Sequence, residues 1–176
     1  RNFDGRDLTG FIDGTENPQF PDDRAATTLL SEDAGVFADG SFIFAQRYCH
    51  DLEKWKKLKV DAQEQVFGRT KLESIELDDD VKPENSHVAR VVVEDDEGEE
   101  MEILRHSLPY GDGKGEQGLF FIAYTKDLNI IDAMLLRMFG TSGDGIHDRM
   151  LHFVTPVDGA YYFAPSEELL EAVLEG

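Results

Sequence analysis

Apolar positions along this chain recur at two different spacings, and the changes of period mark its elements. Residues 41–48 are rich in aromatics, follow Asp39-Gly40 and predict a strand. Asp51 is placed to cap a helix in which Leu52, Trp55 and Leu58 share one face. Asp61 opens a second short helix over 62–67, ended by Gly68. Residues 88–93 carry a continuous branched core and predict a strand, as do 101–106 and 118–124. Asp95-Asp96-Glu97-Gly98 has the composition of a hairpin turn between Val93 and Met101. Residues 128–139 form an amphipathic helix with Ile131, Leu135 and Met138 toward the core, and a closing strand precedes a last helix that starts at Pro165-Ser166 and runs to Leu174. This succession predicts an α+β fold, an antiparallel sheet with helices packed on one face.

Composition narrows the function classes. The 176 residues are 40% hydrophobic with 12 Phe, enough for one domain with a real core. Acids outnumber bases 37 to 17, and the net charge of −20 argues against nucleic acid and anionic membranes as partners. It favours cationic over anionic small molecules at the mouth of any site. No apolar run approaches the roughly 20 residues of a membrane span. The single cysteine, Cys49, can form neither an internal disulfide nor a thiolate cluster, which fits a reducing compartment such as the cytoplasm. The chain begins at Arg1 without a Met and reads as the C-terminal part of a longer protein.

Candidate chemistry concentrates in Gly10-Phe11-Ile12-Asp13-Gly14-Thr15-Glu16-Asn17-Pro18. One carboxylate stands between glycines with almost no bulk after Ile12, so a flat ligand can approach the backbone closely. A plain Asp-Gly turn explains the same residues. The five histidines, His50, His87, His106, His147 and His152, are the possible metal ligands. His50 beside Cys49 reads as surface. His147 and His152 are five apart, the wrong period for one helical face. Spacing alone does not select among the five, and no zinc-type pattern is present.

The nine-residue string resembles the GxxDG fingerprint of the dye-decolorizing peroxidases, a haem enzyme family. Three further elements follow in the family's order: His87, 74 residues after Asp13; Arg105, 18 beyond that; and Asp148, before an apolar stretch near the C-terminus. The similarity spans about residues 7–165 and is nearest to the bacterial branch with compact loops. It implies two ferredoxin-like α+β halves in the whole protein, with residues 1–176 as the C-terminal, haem-carrying half and the N-terminal half absent.

The resemblance also implies roles. His87, on the first strand of a hairpin, would ligate the iron of haem b, and Asp148 would accept a hydrogen bond from its other ring nitrogen. Arg105, on the next strand, would stabilise hydroperoxide anion, and Asp13 would carry a proton between the peroxide oxygens, with activity highest in mildly acidic solution. Ser107 would hold a distal water, and Leu119 and Phe121 would face the distal side of the porphyrin. Arg69 would pair with a propionate, with Thr15 and Glu16 as donors at the haem edge. The implied activity is reduction of hydrogen peroxide with one-electron oxidation of small-molecule reductants (phenols and dyes), in a homo-oligomer. The alternative it carries is a haem-handling protein concerned with iron release or haem supply.

Overall fold

The computed structural model describes residues 5–111 and 115–175; residues 1–4, where the chain's start was read, and Gly176 lie outside that range. Elements follow in the order α1 (Pro21–Thr28), a 3-10 turn (Glu32–Phe37), β1 (Ser41–His50), α2 (Leu52–Trp55), α3 (Val60–Phe67) and α4 (His87–Val91). Then come β2 (Leu104–Arg105), β3 (Leu108–Tyr110), β4 (Gly118–Thr125), α5 (Leu128–Met138), a second 3-10 turn (Arg149–His152), β5 (Val154–Ala164) and α6 (Glu167–Glu175). All strand pairs are antiparallel in the order β2-β4-β1-β5, with β3 also pairing β4. This is the α+β architecture that the alternating periods predict.

Local chemistry explains the elements that hold the site. Period-two alternation puts Phe44 and Tyr48 of β1 on the same face as Phe121 and Ala123 of β4, and this face meets the helices. Asp51 accepts the Lys54 N–H at 2.9 Å and caps α2, and Gly68 ends α3 at φ +94°. Two clusters build the core. One joins Phe11, Trp55, Val66, Met150 and Phe153; the other joins Phe44, Ile103, Ala123, Ile130 and Ile131. Trp55 donates its indole N–H to the Thr9 carbonyl at 3.0 Å, and Phe11 stacks on Phe67 with centroids 4.2 Å apart. The segment leading into Asp13 is thereby anchored on α2 and α3.

Two strand predictions are corrected. Residues 88–93 do not form a strand: 87–91 are helical, because Ser86 offers its side chain to the Ala89 N–H as a cap and puts Val88 and Val91 on one face. Of residues 101–106 only Leu104 and Arg105 pair with β4. His87 therefore sits at the start of a helix and Arg105 on a sheet-edge strand, rather than on the two arms of one hairpin. The turn at 95–98 is present, closed by the Asp95 side chain and a single bridge between Glu94 and Glu100.

The second face of the sheet carries Leu108, Phe120 and Tyr162 exposed, in register with half-buried Ile43, Ile122 and Tyr124. No described helix covers these residues. In α6 no residue is buried, and Leu170, Val173 and Leu174 face solvent. No helix among the described residues is long and apolar enough to cross a membrane.

Candidate active site

A cavity opens between the helix layer and the sheet, with about 1460 Å³ of space including its mouth. Its apolar wall is legible in α5, where Ile131, Met134, Leu135 and Met138 recur at helical spacing and all line it. Val88 and Val91 of α4, Phe44 of β1 and Phe121 of β4 continue that wall. Polar groups enter from separate elements: His87 from α4, Asp13 from the glycine-flanked loop and Arg105 from β2.

His87 is oriented by a buried carboxylate. Its Nδ1 lies 2.6 Å from Oδ2 of Asp148, a residue with no exposed surface. A carboxylate only accepts, so Nδ1 is the donor in this bond and Nε2 is the ring nitrogen that Asp148 leaves unengaged. Asp148 is itself fixed. Its Oδ1 accepts the Met150 N–H at 2.7 Å and its backbone N–H bonds the Met138 carbonyl at the end of α5. Helices α4 and α5 are tied by a reciprocal pair: Arg90 donates to the Arg137 carbonyl, and Arg137 donates to the carbonyls of Arg90 and Ala89. Arg90 also holds Asp144 at 2.7 Å. These bonds set the helix that presents His87.

The glycine-flanked loop is locked to Arg105. The Asn17 side-chain amide accepts the Arg105 N–H at 2.9 Å and donates to the Arg105 carbonyl at 2.7 Å, as a neighbouring strand would. Gly14 makes this approach possible, since it sits at φ +79° and a Cβ there would lie 2.8 Å from Asn17 Nδ2. Asp13 is thereby carried to the wall that holds Arg105. Its Oδ2 is buried and has no hydrogen-bond partner among the described residues. A buried carboxylate oxygen without a donor, facing the same cavity as a lone-pair imidazole and a guanidinium, fits a bound group that brings its own protons.

The other expected residues divide. Phe121, Thr15, Glu16 and Arg69 line the cavity; Leu119 and Ser107 do not. Leu119 lies further along β4, opposite Tyr48, and Ser107 is buried beyond the point where β2 pairing lapses. The Arg69 guanidinium already engages Glu16 at 2.6 Å, Glu76 at 3.5 Å and the Ser74 carbonyl. Thr15 Oγ1 meets Ser74 Oγ at 3.0 Å.

Sequence reasoning missed several residues. His50, read as surface, lines the cavity with its Nδ1 buried and unbonded, and burial pushes its pKa down to about 4. The signal was available, because His50 continues the period-two face of Phe44 and Tyr48. Glu76, Glu100 and Glu102 join Glu16 at the mouth, and burial followed by these like charges raises the Glu100 pKa. Their convergence from separate segments leaves no mark in local spacing.

The helix-side cavity of this antiparallel sheet thus brings together a carboxylate-oriented histidine, a buried aspartate oxygen and an arginine. Residues 4–169 match the model of the Dyp-type peroxidase C-terminal family, and the chain belongs to that family. The dye-decolorizing peroxidase of Mycobacterium tuberculosis is 48% identical over 172 residues, covering 97% of this chain and 51% of that protein. A DypB variant from Rhodococcus jostii, solved in complex with heme, superposes with a TM-score of 0.92 at 46% identity, over 97% of this chain and 55% of that one. A Dyp-type peroxidase structure from Shewanella oneidensis gives 0.93 at 42% identity, over 98% and 55%. The chain spans about half the length of the relatives it matches.

Proposed function

We propose that residues 1–176 are the haem-carrying half of a peroxidase that reduces hydrogen peroxide and oxidises phenolic or dye-like reductants one electron at a time. The observation that carries this reading is the Asp148-oriented His87 in one cavity with Asp13 and Arg105. Haem b, when bound, supplies the redox centre that peroxide oxidises and reductants restore. His87 Nε2 would hold its iron, and the Asp148 carboxylate keeps the His87 proton on Nδ1 while adding electron density to the ring. Asp13 Oδ2, lacking a donor, takes a proton from the near oxygen of peroxide and returns it to the departing one. The Arg105 guanidinium, permanently charged, stabilises the hydroperoxide anion and the negative charge that develops on O–O cleavage.

Arg69 serves a propionate once the exposed Glu16 carboxylate yields its place, with Thr15 and Glu16 at the haem edge. Phe121 would offer an aromatic face to the macrocycle, and Leu119 and Ser107 lie outside the lining. Haem handling requires only His87 and the cavity; the presence of Asp13 and Arg105 in the same lining supports a peroxide reaction. The uncovered apolar sheet face supports a second half, the N-terminal one, packed against it in the whole protein. Homo-oligomerisation belongs to the same proposal, supported by the exposed apolar side of α6. The test is stopped-flow mixing of the haem-loaded protein with peroxide. Arg105→Leu should slow the first spectral change about 100- to 1000-fold while haem stays bound, and an unchanged rate removes Arg105 from the mechanism.

A further inference from the structure

The geometry points to a second, surface metal site: His147 and His152 chelate a tetragonal divalent cation such as copper(II), with zinc(II) held more weakly. Five residues apart, the two histidines share no helical face, yet the chain reverses between them. Asp148 makes that reversal, through its backbone bond to Met138 and its side-chain bond to the Met150 N–H. The rings return side by side, with their Nε2 atoms 3.0 Å apart and their centroids separated by 5.1 Å. Both are exposed, and neither lines the cavity.

Without a cation, one Nε2–H donates to the other Nε2. When both rings carry their proton on Nδ1, the two Nε2 lone pairs lie 3.0 Å apart and are open to a shared cation. Metal–nitrogen bonds of about 2.0–2.1 Å would span the observed separation at an angle of about 91–97°. That is the angle of two adjacent ligands on a tetragonal ion, whereas a tetrahedral ion needs nitrogens about 3.3–3.4 Å apart. Water completes the coordination, since no group of three or more His, Cys, Asp or Glu able to hold a metal occurs among the described residues. Partial burial lowers the His152 pKa, helped by His147, Lys54 and Arg149 and opposed by Asp148. Lys54 and Arg149 also repel a cation, which limits the affinity; the net charge of −20 works the other way. A bound ion would close the 147–152 segment, which delivers Asp148 to His87.

Copper(II) titration of the haem-loaded protein, followed by calorimetry and by the nitrogen splitting in the copper resonance spectrum, tests the site. One copper per chain with two nitrogen ligands is expected, with zinc(II) at least tenfold weaker. His147→Gln or His152→Gln should weaken copper at least tenfold, and His106→Gln should not. Copper binding that survives unchanged in the His147→Gln/His152→Gln double variant overturns the site, as does the absence of binding below millimolar copper.

Discussion

Replacing Asp148 by Asn separates the orienting role of this residue from its structural one. The two side chains have the same shape, and the amide oxygen can still accept the Met150 N–H that Oδ1 now takes at 2.7 Å. The change falls on the other arm, where a carboxylate oxygen 2.6 Å from His87 Nδ1 becomes an NH2 donor. A donor can face Nδ1 only if Nδ1 is the lone-pair nitrogen, and the ring proton then moves to Nε2, the atom meant for iron. The variant thus loses a charge-assisted bond of about 1.5–3 kcal/mol whose carboxylate is fully buried. Haem affinity should fall about 10- to 100-fold, read by titrating haem into the protein and following the Soret band. The thermal unfolding midpoint of the haem-free protein should fall by no more than this one bond implies, about 3–12 °C, because the bond to Met150 persists. Haem affinity within twofold of the parent would refute the tautomer argument.

Two other perturbations test neighbouring parts of the account. Asn17→Ala removes both bonds to the Arg105 backbone and should cost about 1–3 kcal/mol in urea unfolding. Because Asn17 positions Arg105, the peroxide rate should fall while haem affinity holds; loss of affinity alone would mean the loop serves only binding. His50 gives a pH dependence. Its folded pKa of about 4 lies below the unfolded value near 6.5, so the unfolded chain takes up a proton that the folded one refuses. That contribution is complete above pH 6.5 and is lost as pH falls toward 4, about 3 kcal/mol in all. His50→Gln should flatten the fall in stability between pH 7 and 4.5, and parallel curves would show that burial of His50 is not responsible.

Strong, long periodic signals carried most of the fold. The alternation of β1 and β4, the amphipathic α5 and the Asp51 cap were legible because each is decided within a few residues. The stretch 87–93 was not, since its β-branched residues favour a strand and one serine cap, together with packing on α5, outweighs them. β3 is too short to show a period. In the site, family resemblance placed Asp13, His87, Arg105 and Asp148 in one reading, and the structure brings His87 onto Asp148 and the other two into the same cavity. The partners of Arg69, the glutamates at the mouth and the meeting of His147 with His152 depend on how distant segments come together. No local pattern encodes them.

The most direct test replaces the imidazole at position 87 with a methyl group and asks whether haem still binds. His87→Ala should give a weakened, shifted Soret band that free imidazole restores, because the rest of the cavity stays intact. A band of unchanged position and affinity, indifferent to added imidazole, would contradict iron ligation by His87.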